Sequence, residues 1–316
     1  MTFRSRFFHA SQMLLRPLLE LALSLFQFIP ERAAYAVAPL LGRAIRLGRK
    51  QEVLRRYLLF MGDSAETRGK LKPFWRAHVA HLGRSCFEPQ FLTLSTDERL
   101  LEIVSLEGAE HLQEALQKER GAVLFINHLG SPGAIVAGFG LRGYDLTIAG
   151  NRIVAGIGGE VVRLDHLEEV VQRMFRRGRV QRALLGERLP QRLAEALGRN
   201  GLFAMFIDFP VAKKHNQMSR FGAAQMNVNL GPAILALRYG APVLSVSCLR
   251  VGVNRHRLII KPPLTLPDHF EDTTSRAACL MQQALNEMEV DLRAHPDQWW
   301  PWDWAELEPV NEGGNP

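Results

Sequence analysis

Residues 123–126, Val-Leu-Phe-Ile, are apolar at every position rather than at every second one. A strand with a single buried face alternates, so an unbroken run points to burial on both faces, in a sheet covered on both sides. Gly130, Pro132 and Gly133 then break the run. Just before the break stands His128, at the carboxyl end of the strand, the edge where open α/β sheets place their ligands. Two readings of that histidine are open: chemistry, or a ring satisfied by the backbone of its own turn.

The rest of the chain fits such a sheet. Residues 31–46, 52–60 and 66–92 read as three helices, with Phe74, Trp75, Val79, Leu82 and Phe87 recurring at near-helical spacing in the last. Strand signals at 101–106 and 122–127 flank a helix at 109–118, a strand at 145–149 follows a second helix, and a helix at 190–199 leads into a strand at 202–207. Residues 231–239 read as helix, 243–249 and 257–260 as strands, and 274–294 as a long amphipathic helix. Strands alternating with helices predict an α/β fold, a mostly parallel sheet covered by helices on both faces, preceded by an N-terminal helical, membrane-contacting segment. The expected organisation is a helical region over 1–92, an α/β core over 93–305 and a loose, polar, Gly-rich tail over 306–316, as a single domain overall.

Lys plus Arg outnumber Asp plus Glu by 39 to 32, a formal charge of +7. The excess lies largely before residue 80 and in 173–199, and it suits anionic partners. Single-strand nucleic-acid binders interleave stacking aromatics with charge; 173–199 offers only Phe175, so a lipid leaflet or an acidic carrier protein fits better than nucleic acid. Cys86, Cys248 and Cys279 have no paired spacing, which argues against a zinc site or a disulfide framework and for a reducing compartment. Residues 13–29 are strongly apolar, but Arg16 and Glu20 interrupt them, Pro30, Glu31 and Arg32 follow, and no clean cleavage site is present. They fall short of the roughly twenty residues of a comfortable span. They read as a helix that lies on or anchors to a membrane, flanked by arginines, with a buried core helix as the alternative.

In order and spacing, four segments together resemble the lipid A biosynthesis acyltransferases of the broader glycerophospholipid acyltransferase superfamily. These are FIPERAAYAVAPLLGRAIRLGRK, VSLEGAEHLQEALQKERGAVLFINHLG, DFPVAKKHNQMSRFGAAQMNVNLGPAILALRYGAPVLSVSCLR and HPDQWWPWDW. The resemblance implies a monomeric enzyme at the cytoplasmic face of the inner membrane, peripheral or held by one N-terminal helix. It would move an acyl chain from an acyl carrier protein or coenzyme A thioester to a hydroxyl or amine of a lipid or glycolipid acceptor. No cofactor or metal is implied, the thioester itself being the donor.

An acceptor hydroxyl is nearly unionised at neutral pH, so a neutral imidazole must take its proton, and a carboxylate commonly holds that imidazole in the useful tautomer. His128 matches the family's base. Where the family has Asp or Glu five positions on, this chain has Gly133. In some branches of the family the acid comes from a later strand end, and Asp208, after the apolar run 202–207, lies at the matching place. Asp208 is therefore the preferred partner; an orienting backbone carbonyl or water, lost catalysis with a lipid-binding role, and a plain Asx turn at Asp208 are the alternatives. Ser131 sits in no nucleophile elbow and reads as a turn former.

For substrate binding the resemblance points to Arg152, Lys213, Arg220 and Asn229. Arg152 would pair with an anionic headgroup, Lys213 and Arg220 would flank phosphate before the Phe221-Gly222 pair, and Asn229 would open a helix whose amides suit an oxyanion. An ordinary surface arginine, a solvated charged loop and a simple helix start are the alternatives. The tryptophans at 299, 300, 302 and 304 suit a bilayer interface.

Overall fold

The computed structural model describes residues 28–150, 154–157, 160–163, 165–185, 188–208, 215–266, 270 and 272–310, with side chains left aside at 154–157, 160–163 and 165–167. Two helices, α1 (Glu31–Ile45) and α2 (Lys50–Met61), lead to a short α3 (Ala65–Gly69) and the long α4 (Leu71–Leu94). The single helix expected over 66–92 is thus two, parted at Lys70, with the Ser64 hydroxyl capping Thr67 N–H of the first. All but the last two residues of the expected helix at 13–29 lie outside the described residues.

Small residues let α1 and α4 approach closely. Ala34, Ala38 and Gly42 form one stripe of α1, and a Cβ built on Gly83 of α4 would lie 1.7 Å from the Ala38 carbonyl oxygen. A Cβ on Gly42 would meet Val79 O at the same distance. Both obstacles are backbone, which cannot rotate aside. Gly83→Ala is therefore expected to destabilise the fold by about 1–3 kcal/mol, despite alanine's better helix propensity, because the helices must separate. Thermal unfolding checks this, and a Tm at or above the parent's would refute it.

After α5 (Asp97–Ile103) the chain enters β1 (Val104–Glu107), α6 (Ala109–Leu116), β2 (Ala122–Gly130), α7 (Pro132–Gly140) and β3 (Leu146–Gly150). The strand expected over 101–106 begins late because Thr96 caps a helix there: its hydroxyl accepts Arg99 N–H at 3.2 Å, with Asp97 and Glu98 in the first turn. A hairpin of β4 (Val154–Ile157) and β5 (Glu160–Arg163) is followed by α8 (Asp165–Arg177), β6 (Gln181–Leu184), α9 (Leu189–Gly198) and β7 (Leu202–Phe206). Next come β8 (Asn216–Phe221), β9 (Ala224–Asn229), α10 (Gly231–Tyr239), β10 (Val243–Gly252), β11 (Arg255–Pro263), α11 (Thr273–Ala294) and β12 (Leu307–Pro309).

Among the described residues the main sheet has seven strands in the order β1-β11-β10-β2-β7-β3-β6. Every neighbouring pair is parallel except β10 and β11, which are antiparallel. Strand β2 lies at its centre, and its residues divide between two cores. Val123 and Phe125 join α2, α9, α10 and α11 on one face, while Ala122, Leu124 and Ile126 join α5, α6, α7 and α8 on the other. An apolar residue at every position is what a strand between two cores requires.

A smaller sheet, β12-β9-β8, was not legible as such. The stretch for which a solvated charged loop is the alternative to substrate binding forms, from Asn216 on, the β8–β9 hairpin, turned at Gly222, whose φ of +65° suits glycine and whose Cβ would strike Phe60. Of the tail expected to be loose, Leu307–Pro309 form β12, which pairs antiparallel with β9, and Glu306 accepts from the Asn227 side chain, while residues 311–316 lie outside the described residues.

Candidate active site

Strands β2 and β7 are parallel neighbours, in register from Ala122 opposite Leu202 to Ile126 opposite Phe206. His128 and Asp208 each stand two residues past the last of these pairs, so the register delivers them side by side at the carboxyl edge. Asp208 Oδ1 lies 2.8 Å from His128 Nδ1, and Asp208 Oδ2 accepts the His128 backbone N–H at 2.7 Å. A third donor, the Trp299 indole N–H, reaches Oδ2 at 2.9 Å. The carboxylate is completely buried, and these three donors meet the requirement that a buried charged group be hydrogen-bonded. The imidazole keeps 20% exposure. It stacks on Phe206 at 4.0 Å and meets the edge of Trp304 at 5.6 Å.

The position at which the family's pattern has its acid faces elsewhere. Gly133 lies in the first turn of α7, and a Cβ there would meet Leu92 Cδ1 at 3.1 Å and Met174 Sδ at 3.5 Å. A carboxylate at 133 would start against apolar side chains. Ser131 is buried and shares a hydrogen bond with Glu88, which agrees with a structural role.

Behind the pair lies a second polar cluster. On α4, His78, His81, Ser85 and Glu88 recur at spacings of three and four, so they share one helix face, and all four are buried. Glu88 forms an ion pair with Arg250 of β10. Arg250 Nε reaches His81 Nδ1 at 3.3 Å and Nη2 donates to Ser85 Oγ at 3.2 Å, while His256 Nε2 lies 3.4 Å from Glu88. Burial would raise the Glu88 carboxyl, but the Arg250 guanidinium beside it prevails and holds it below the usual carboxylate value. Burial presses the histidines down: His256 to about 4, His78 to about 3, and His81 well below its ordinary value with Arg250 adding to the effect. At neutral pH all three are uncharged. The helical spacing of these polar residues was a signal available in the sequence and went unread.

The tryptophan segment does not offer an interfacial belt. Trp299 and Trp302 are 0% exposed, packed edge to face at 4.7 Å. Arg46 binds Asp303 at 2.7 Å and the Trp300 carbonyl at 2.9 Å, and Trp300 Nε1 donates to Gly130 O at 3.0 Å. The reading of these aromatics as bilayer contacts is corrected for the two buried ones: the segment closes over the end of β2. Buried indoles need an acceptor, and that requirement was the clue.

The substrate-binding candidates come apart. Arg152 and Lys213 lie outside the described residues. Arg220 is an exposed residue of β8 whose main chain exchanges two hydrogen bonds with the Gln282 side chain of α11. Asn229 ends β9; its Oδ1 accepts Gly231 N–H at 2.8 Å and its amide donates to Asn216 at 2.8 Å, the geometry of a helix start. Much of the basic stretch over 173–199 is ion-paired within the fold, Arg173 with Glu169, Arg177 with Asp97, Arg182 with Glu168, Arg192 with Glu195 and Arg199 with Asp145.

No curated protein matches the chain. Residues 1–302, however, match the family model for bacterial lipid A biosynthesis acyltransferases, almost the whole length. With a mostly parallel sheet carrying a His–Asp pair at its carboxyl edge and a family match of that extent, the chain belongs to the bacterial lipid A biosynthesis acyltransferase family.

Proposed function

We propose that this acyltransferase moves a fatty acyl chain from an acyl carrier protein or coenzyme A thioester to a hydroxyl, or an amine, of a lipid or glycolipid, with His128 as general base. The observation that carries the reading is the 2.8 Å contact of His128 Nδ1 with a buried Asp208. With Nδ1–H donating to the carboxylate, the lone pair belongs to Nε2, the tautomer a base requires. Nε2 takes the acceptor O–H proton as the oxygen attacks the thioester carbonyl carbon. A C–O bond forms, the C–S bond breaks, and the imidazolium returns its proton to the departing thiolate, giving an ester and a free thiol. No cofactor or metal takes part in this scheme.

The molecule would work as a monomer from the cytoplasmic face of the inner membrane. Among the described residues no helix is long and apolar enough to cross a membrane. The outward side of α1 and the turn after it nonetheless present Val37, Leu40 and Leu47, the last two 64% and 84% exposed, beside Arg32, Arg43 and Arg49. An apolar strip edged with arginine suits peripheral attachment to an anionic leaflet. Arg152, Lys213 and Arg220 are the proposed contacts for anionic substrate groups, and Asn229 is proposed to open α10, whose free amides suit an oxyanion.

Purified protein is tested with acyl carrier protein and coenzyme A thioesters against a panel of hydroxylated lipids. Thiol release is expected, together with its loss in His128→Ala by about three orders of magnitude or more. Retained turnover in that variant removes His128 as base. An inactive parent across the panel removes the enzymatic reading in favour of a lipid-binding protein on the same scaffold.

A further inference from the structure

We propose that Trp299 is a positioning residue of the His128–Asp208 pair: its indole N–H holds the Asp208 carboxylate in the orientation that faces the imidazole. The kinetic part of this proposal rests on the acyl-transfer reading above; the structural part does not.

A carboxylate turns easily about its last torsion, so its orientation is set by its donors. Two N–H groups from separate elements converge on Asp208 Oδ2, the His128 main chain at 2.7 Å and the Trp299 indole at 2.9 Å. That leaves Oδ1 to meet His128 Nδ1. Without the indole, a single N–H would hold Oδ2, and the buried oxygen would lose a charge-assisted bond.

The indole is itself fixed. Its main chain bridges to Leu129, the residue after His128, and its ring is packed by Trp302 at 4.7 Å and Phe221 at 5.7 Å. The adjacent Gln298 side chain accepts Arg250 N–H at 2.8 Å and donates to Arg250 O at 2.9 Å. Arg250 is anchored by its ion pair with Glu88. A connected set of contacts thus runs from α4 through β10 and the segment after α11 to the carboxylate. Trp302 provides the contrast: equally buried, it sends its N–H to the Pro296 carbonyl at 2.6 Å.

Trp299→Phe keeps a buried ring and removes the N–H. We expect kcat to fall about 10- to 100-fold with KM within about twofold, by analogy with the loss on removing the outer-shell partners that orient metal ligands. In the free protein, the low-field proton resonance of the His128 Nδ1–H···Asp208 bond should broaden or vanish. Trp302→Phe keeps an aromatic ring beside Trp299 and loses only an N–H that binds the Pro296 carbonyl, so it should retain that resonance. An unchanged resonance and kcat in folded Trp299→Phe overturns the proposal, as does an equal loss of the resonance in Trp302→Phe. Should Trp299→Phe fail to fold, Asp208→Asn supplies the measurement: it must move the Trp299 indole N–H resonance and leave that of Trp302 in place, and an unmoved Trp299 signal overturns the proposal. If Trp299→Phe loses the low-field proton while the parent transfers no acyl group, the positioning role stands and the enzymatic reading alone falls.

Discussion

Asp208→Asn is expected to lower kcat by about 10³- to 10⁴-fold with little change in KM. The direction follows from which atoms the carboxylate meets. Oδ2 accepts two N–H groups, from the His128 backbone and the Trp299 indole, so an amide at 208 must keep its oxygen there. Its NH₂ group then turns to His128 Nδ1, where Asp208 Oδ1 now accepts. A donor facing Nδ1 forces the ring proton onto Nε2, the atom that has to receive the acceptor's proton. The fold should hardly suffer, because the side chain keeps its shape and its burial. Steady-state thiol release with saturating donor checks the prediction. A loss below about tenfold would mean that the tautomer does not limit the reaction, and the dyad reading would fail.

Glu88→Gln is expected to destabilise the protein by about 3–5 kcal/mol, the cost of leaving one partner of a buried ion pair uncompensated. The Arg250 guanidinium would remain enclosed among His81, Ser85 and His256 without a counter-charge. The same cluster makes the parent sensitive to acid. His256 is pressed from an ordinary 6.5 to about 4, His78 to about 3, and His81 is lowered too. Below pH 6.5 the unfolded chain therefore takes up protons that the folded one refuses, and stability declines as pH falls from about 6.5 towards 4. For a single histidine held at about 4 the full loss is about 3 kcal/mol. The Glu88 contribution has the opposite group but the same sign: a depressed carboxyl stabilises above its unfolded value and loses that stabilisation only as pH drops through the lower, folded one. Denaturant unfolding of parent and variant from pH 7.5 to 4.5 reads both effects. A flat parent curve over that interval would show that these histidines are not held neutral by the fold.

Legibility in the sequence followed the range of the interactions. Helix α10 at Gly231–Tyr239 could be read to the residue, because Gly231 and Pro232 open it and Gly240, in the left-handed region, ends it. Strand β2 could be read from its composition, since residues sealed from water on both sides must all be apolar. The start of β1 was misread where a capping threonine prolonged a helix, and the β8–β9 hairpin was missed because its strands are short, polar and half exposed. The tryptophans misled most: a cluster of indoles looks alike to the reader of a sequence whether it meets lipid or a buried carboxylate.

The chain's own order of residues determined a doubly covered α/β sheet and a histidine at the end of one of its buried strands, because hydrophobic periodicity and turn chemistry are local properties. Only the tertiary structure decided that the Asp208 carboxylate and the Trp299 indole meet at that histidine, and that Glu88, Arg250 and His256 meet at all. His128 and Asp208 are 80 residues apart, and Trp299 is a further 91 along the chain. Their meeting depends on strand order and register, which arise from how two cores pack against one sheet and leave no mark at any single position of the sequence.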